Sequence, residues 1–259
     1  MNLSSYIQSR LKQKSILLMT HVIVGYPSLE ANWAMLKQMQ TLGVDLVELQ
    51  MPFSEPIADG PLFVKANQAA LSQGIGWNHY FDLMKQASRE FDFPLLFMGY
   101  YNSVFMMGHQ PFCQKIQDCG GSGFIIADLP IEEFKNLFDY SHQYDLSPIL
   151  LTTPTNTESR LKQIFGQSKG FIYCVARKGV TGKKTDLNQE VEIFVERCRK
   201  FSNIPLALGF GLTHPEDLKA LHKKVEIGIV GTALLRAWEE NGEVGYQAQL
   251  KQLIQACYK

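Results

Sequence analysis

The sequence predicts an α/β fold, a single-domain (β/α)8 TIM barrel with a short N-terminal helix, and three observations carry that expectation. Eight β-rich apolar runs recur along the 259 residues, separated by longer stretches with helical spacing. The runs are almost continuously apolar, as in parallel strands covered on both faces, rather than alternating as in half-exposed strands. Eight strand–helix units in a chain of this length fit a closed barrel better than an open doubly wound sheet. No Gly/Ser linker, low-complexity tract or break in the alternation divides the chain, so residues 1–259 read as one domain.

Taken in order, "MNLSSYIQSRLKQK" repeats Leu3, Ile7 and Leu11 every four residues, which predicts a short amphipathic helix and lacks a signal-peptide core. Strands are expected at 15–25, 44–51, 94–101, 123–129, 147–152, 170–176, 204–210 and 225–231. Between them, stretches such as "LEANWAMLKQMQTLG", "PFCQKIQDCG", "IEEFKNLFDYSHQY", "TESRLKQIF", "NQEVEIFVERCRKF" and "HPEDLKALHKK" read as helices. Good caps or first-turn acids mark two starts, Asp128 to Glu133 and Thr213 to Asp217.

Composition excludes several function classes. Lys plus Arg equals Asp plus Glu at 25 each, which argues against a nucleic-acid footprint or an electrostatic membrane surface. No apolar run approaches the roughly 18 residues of a membrane span. The five cysteines form no CxxC pair, so no metal or dithiol site is expected, and a reducing, cytoplasmic location fits.

Barrel active sites lie at the C-terminal ends of the strands. On the second strand, period-2 geometry sends Val47, Leu49 and Met51 toward the helices and Leu46, Glu48 and Gln50 into the barrel. A carboxylate there is costly unless paired or put to use. Two readings of Glu48 stay open: a structural partner of an unseen Lys or Arg, or a general acid/base. Asp59, in the turn-rich "PIADGP", is either a loop cap or a second functional carboxylate. Gly209 and Gly211 follow the seventh strand, Gly231 and Thr232 open a short helix after the eighth, and Gly179 and Gly182 follow the sixth. Glycines at adjacent strand ends and helix N-termini suit a phosphate. Tyr100, Tyr101 and Asn102 end the third strand, and Tyr173 and Arg177 bracket the end of the sixth, as packing groups or as walls for a flat substrate. His21 reads as a satisfied core residue rather than a ligand.

These residues together resemble the tryptophan synthase alpha chain family. Its long motif, Glu-Leu-Gly-hydrophobic-Pro-Phe-Ser-Asp-Pro-x-Ala-Asp-Gly-Pro, is matched by Glu48 to Pro61, with further matches at Tyr100 to Asn102, "ADLPIEE", "RKGVTG", "GFGLTHPED" and "VGTAL". The resemblance implies retro-aldol cleavage of indole-3-glycerol phosphate to indole and glyceraldehyde 3-phosphate, a carbon–carbon lyase step without a cofactor in this chain. It implies Glu48 as acid/base, Asp59 as acceptor of the indole N–H, and Tyr173 beside Glu48. Gly182, Gly211, Gly231 and Thr232 would hold the phosphate, and Tyr100, Ile125, Ala127, Arg177 and Phe210 would surround the substrate. It also implies a pyridoxal-phosphate-dependent beta chain as partner in an α2β2 assembly, met in part through Pro52, Glu55 and Asn102. Four residues depart from the family pattern: Gln50 for a common glycine, Glu55 for Asp, Tyr26 for Asp, and His21 for an apolar or aromatic pocket residue. Another phosphate-binding barrel lyase or isomerase, or a non-catalytic regulatory subunit of the beta chain, are the alternatives.

Overall fold

The computed structural model describes residues 3–175, 189–209 and 211–258. Of the sequence-predicted site residues, Arg177, Gly182 and Phe210 lie outside the described residues. The strands are β1 (Leu17–Ile23), β2 (Leu46–Gln50), β3 (Leu95–Gly99), β4 (Gly123–Ile126), β5 (Ser147–Ile149), β6 (Leu151–Thr152), β7 (Ile172–Val175), β8 (Leu206–Gly209) and β9 (Ile227–Val230). They form one sheet in the order β5-β4-β3-β2-β1-β9-β8-β7-β6. Its two ends are consecutive in sequence. The predicted fifth strand, 147–152, is broken at Leu150, so β5 pairs with β4 while β6 pairs with β7, both parallel. That divided strand closes the barrel, and the eight expected strands appear as nine segments. The described helices are α1 (Leu3–Leu11), α2 (Leu29–Leu42), α3 (Pro61–Ser72), α4 (Trp77–Glu90), α5 (Tyr101–Met107), α6 (His109–Asp118), α7 (Lys135–Gln143), α8 (Glu158–Gln167), α9 (Gln189–Arg199), α10 (Pro215–Ala220) and α11 (Thr232–Gln255).

Side-chain parity follows the period of the strand. Leu17, Met19, Leu46, Leu96, Ile125, Ile149, Ala207 and Ile227 pack together inside the barrel. Their neighbours Leu18, Val47, Leu49, Phe97, Phe124, Leu206 and Leu208 pack outward against the helices. The inward placement of alternate β2 residues from Leu46 is as expected.

The N-terminal helix α1 (Leu3–Leu11) sends Leu3 and Ile7 into the interior cluster and plugs the N-terminal end of the barrel. There Gly170, with φ +79°, makes room for Leu3, because a Cβ on it would sit 2.7 Å from the Leu3 side chain. Asp45, fully buried before β2, accepts from Lys14 Nζ at 2.7 Å, from Arg10 Nε at 2.8 Å and from the Leu18 N–H at 2.9 Å. Leaving such a carboxylate unpaired would be costly, so this cluster fastens the plug.

Helix starts divide into local and tertiary cases. Asp217 caps α10 (Pro215–Ala220) by accepting from the Thr213 and His214 N–H groups, both at 2.8 Å. Asp128 instead accepts from the Tyr101 N–H at 2.7 Å, at the start of α5 (Tyr101–Met107), and so ties two strand ends together. The segment after it makes only a single 3-10 turn, Ile131–Glu133, before α7 (Lys135–Gln143). After β9, α11 (Thr232–Gln255) begins at Gly231. It is far longer than the short helix expected, although a kink at Gly242 ends its first segment.

Candidate active site

At the C-terminal ends of the strands a pocket opens, lined among others by His21, Glu48, Asp59, Ile125, Ala127, Tyr173, Gly211, Gly231 and Thr232. One wall is carboxylate-bearing. Glu48 is 2% exposed on β2, and Asp59 is 6% exposed in the loop leading to α3 (Pro61–Ser72). A second wall is glycine-rich. Gly211 takes φ +87°, and Gly231 precedes the first turn of α11 without a side-chain cap. Backbone N–H groups at such a helix start have no intrahelical acceptor and suit an anion. Gly231 also lies so close to the first wall that a Cβ would be 3.0 Å from both His21 and Phe63.

The two carboxylates are joined by a buried polar chain. His21 Nδ1 lies 2.8 Å from Glu48 Oε1, and His21 Nε2 lies 2.7 Å from Gln50 Oε1. Gln50 Nε2 then donates to Asp59 Oδ2 at 2.8 Å. Parallel pairing sets His21 directly opposite Glu48, so the two share a face. The partner of Glu48 is therefore a histidine, not the Lys or Arg that one sequence reading allowed. The His21 side chain is satisfied and only 4% exposed, as expected of a core residue, but it belongs to the pocket rather than to the apolar core. Glu48 Oε2 is buried with no hydrogen-bond partner among the described residues. An unpaired buried oxygen in a pocket wall is a group kept available for chemistry.

Electrostatics follow from burial. Burial pushes the Asp59 carboxyl up, against the Gln50 hydrogen bond, the His21 charge and the Tyr100 hydroxyl, while Glu48 adds to the rise. Burial disfavours charge on His21, but the charge and hydrogen bond of Glu48, with Asp59 and Gln50 behind them, hold its affinity for a proton above the usual value. The Tyr173 phenol is pushed well up by burial and then by Glu48 and Asp59. Gly209 makes room for that phenol, since a Cβ there would sit 2.6 Å from Tyr173 Oη.

Tyr100 does not line the pocket, but its hydroxyl bears on Asp59. It is fully buried, stacks on Phe53 at 5.2 Å, and its hydroxyl accepts from the Ala58 N–H at 3.2 Å, so it braces the loop that carries Asp59. Glu55 and Asn102 are exposed beside the pocket, whereas Pro52 is buried. Sequence reasoning did not place Phe63 or Arg236 at the site, yet both line the pocket. Arg236 follows Thr232 by four residues on α11, a spacing that puts both on one helix face and that the sequence already displays. No group of three or more His, Cys, Asp or Glu suited to a metal occurs among the described residues, and no described helix is long and apolar enough to cross a membrane.

A carboxylate able to exchange protons, a second carboxylate held rigid, and an anion-accepting wall make an arrangement suited to acid/base cleavage of a phosphorylated substrate. Comparison with known proteins points the same way. A relative from Desulforapulum autotrophicum, called tryptophan synthase alpha chain, is 45% identical over 243 residues, covering 94% of this chain and 96% of that one. A tryptophan synthase structure from Mycobacterium tuberculosis superposes with TM-score 0.92 at 28% identity, covering 99% of this chain and 98% of its own. A structure of the tryptophan synthase α2β2 complex of Pyrococcus furiosus superposes with TM-score 0.86 at 25% identity, covering 94% and 99%. The family model for the tryptophan synthase alpha chain matches residues 7–258, which leaves no part of the barrel to another family. The chain belongs to the tryptophan synthase alpha chain family.

Proposed function

We propose that this pocket cleaves indole-3-glycerol phosphate to indole and glyceraldehyde 3-phosphate, with Glu48 and Asp59 as the working carboxylates. The observation that carries the reading is the pair of buried carboxylates that share one pocket with a glycine-rich, anion-accepting wall. Cleavage requires a proton on indole C3 and removal of the proton from the side-chain hydroxyl as the aldehyde forms. The electrons of the broken carbon–carbon bond return to the ring, so one proton moves from hydroxyl to carbon and none is consumed. Glu48 carries that proton, taking it from the hydroxyl and delivering it to C3. Asp59 accepts the indole N–H and stabilises the positive charge that develops on the ring. Gly211, Gly231 and Thr232, with Gly182, hold the phosphate, and Arg236 adds a cation at that end. Ile125 and Ala127 pack on the indole, Tyr173 lies beside Glu48, and Arg177 and Phe210 complete the enclosure.

The partner is the beta chain of tryptophan synthase, which receives the indole and holds the pyridoxal phosphate, in the cytoplasm. Glu55 and Asn102 sit on the segments that meet it, with Pro52 buried beneath. Ile57, Phe105 and Met106, exposed by 71%, 61% and 76%, supply apolar surface on the same two segments. Indole release from indole-3-glycerol phosphate, with and without a cognate beta chain, tests the reading. Glu48→Gln is expected to lower turnover by a factor on the order of 10²–10⁴ with little change in substrate binding. Near-wild-type turnover in that variant would sink the assignment. Stimulation of the beta chain without any indole from this chain would establish the regulatory alternative instead.

A further inference from the structure

The buried chain from Glu48 to Asp59 fixes where its protons lie. Asn67 is anchored at both ends by backbone: its Oδ1 accepts from the Phe53 N–H at 3.0 Å, and its Nδ2 donates to the Phe63 carbonyl at 2.8 Å. Gln50 must therefore turn its NH2 toward Asn67 Oδ1, at 3.4 Å, and toward Asp59 Oδ2, at 2.8 Å. That orientation leaves Gln50 Oε1 facing His21 Nε2, so the ring carries a hydrogen on Nε2. What remains is the 2.8 Å contact between His21 Nδ1 and Glu48 Oε1, which needs one proton between two acceptors. The pair is either imidazolium with carboxylate or imidazole with carboxylic acid. In both forms Oε1 is committed to His21, and Oε2 is the oxygen left over.

We infer that His21 is a positioning residue for Glu48, sharing a single proton with Oε1 so that Oε2 alone exchanges protons with the substrate. This deepens, and rests on, the acid/base reading of Glu48. The groups facing His21 are Glu48 and Gln50 on β2, Asp59 in the following loop, and the Phe63 ring of α3 at 4.6 Å. Tyr173 on β7 and Arg236 on α11 share the pocket, and Gly231 approaches from the end of β9. Both neighbouring carboxylates favour the protonated ring, so the shared proton is held above the ordinary histidine range and leaves as the pH rises through the raised value. The site then holds no proton between His21 and Glu48, and turnover falls on the alkaline side.

Two measurements test this. In the first, indole formation by the assembled complex is followed across pH for wild type, His21→Phe and His21→Asn. His21→Phe is expected to lower kcat roughly tenfold with KM within about threefold, and to move the alkaline limb of kcat by about one pH unit or more. His21→Asn supplies a non-titrating donor near Nδ1 and is expected to recover part of the kcat without restoring the wild-type limb. A uniform loss of kcat with the limb unmoved, or no loss, overturns the inference. The second is ¹⁵N NMR of the histidine rings in the wild-type chain, where the His21 signal is assigned as the one missing from His21→Asn, and its titration is expected to shift to lower pH in Glu48→Gln. It is expected to show hydrogen on Nε2 throughout. A ring protonated only on Nδ1, or one unmoved by Glu48→Gln, overturns the inference even if His21→Phe fails to fold. Absence of indole from the wild-type complex would remove the lyase reading instead, while the NMR result would still decide whether the proton is shared.

Discussion

Replacing Asp59 with Asn is expected to separate catalysis from stability. The side chains are nearly isosteric, and an amide oxygen at the Oδ2 position keeps the acceptor for Gln50 Nε2 at 2.8 Å and for Asn67 Nδ2 at 3.4 Å. What is lost is the negative charge that the proposed function sets against the indole nitrogen. Removing one pre-oriented electrostatic group of this kind costs about 10²–10³ in kcat, or about 2.7–4 kcal/mol of barrier. The folding balance runs the other way. Burial raises the folded pKa of Asp59 above its ordinary value, so stability is lost as pH rises through that raised value and the carboxylate ionises. A neutral amide escapes this cost, and Tm at pH 7–8 should be unchanged or slightly higher. Steady-state indole release and a thermal melt on the same preparation supply the two numbers. A kcat within about threefold of wild type would refute the electrostatic role. A fall in Tm beyond about 4 °C, roughly 1–2 kcal/mol for a chain of this size, would mean that Asp59 is instead a structural brace.

Two further outcomes follow from the packing. Asp45→Ala strands Lys14 in a buried site and frees α1 from the barrel floor, so urea unfolding should show a loss of about 3–5 kcal/mol; a loss below about 1 kcal/mol would contradict the fastening role. All five cysteines are buried, and burial pushes the thiols of Cys113 and Cys257 up to about 12. The Cys174 hydrogen bond lowers the Cys198 thiol, which is shielded by burial alone, so a native sample at pH 8 should resist a thiol reagent that modifies all five in urea; fast labelling of the native chain would refute that burial.

The strands were legible because their signal is local: a run such as "VDLVELQM" carries both its apolarity and its parity within a few residues. Closure was not. The break at Leu150 and the division of one strand between two neighbours depend on where β4 and β7 lie, which no short window contains. The same contrast holds at the helix starts. Asp217 serves N–H groups three and four residues before it and could be read directly, whereas Asp128 serves Tyr101, whose proximity exists only once the strands pair. At the site, Glu48 and Asp59 were visible through their motif, while Arg236 needed its helix face to be read together with Thr232.

His21 and Gln50 show why residues read one at a time mislead. Each departs from the family pattern, and each alone would be a liability in a buried wall, because a polar atom without a partner there costs free energy. An apolar residue at position 21 suits a glycine at position 50, since neither brings a polar group into the barrel mouth. Once an amide stands at Gln50, an apolar side chain at 21 would leave Oε1 without its donor; with His21 and a glycine at 50, the ring would lack the acceptor for Nε2. In this barrel each completes the other, across a β1–β2 register that a one-residue slip would destroy by sending one of the two side chains to the helix layer. The two departures therefore act physically as a single change. Where the family pattern implies an apolar wall beside Glu48, it sets a hydrogen-bonded path that reaches Asp59.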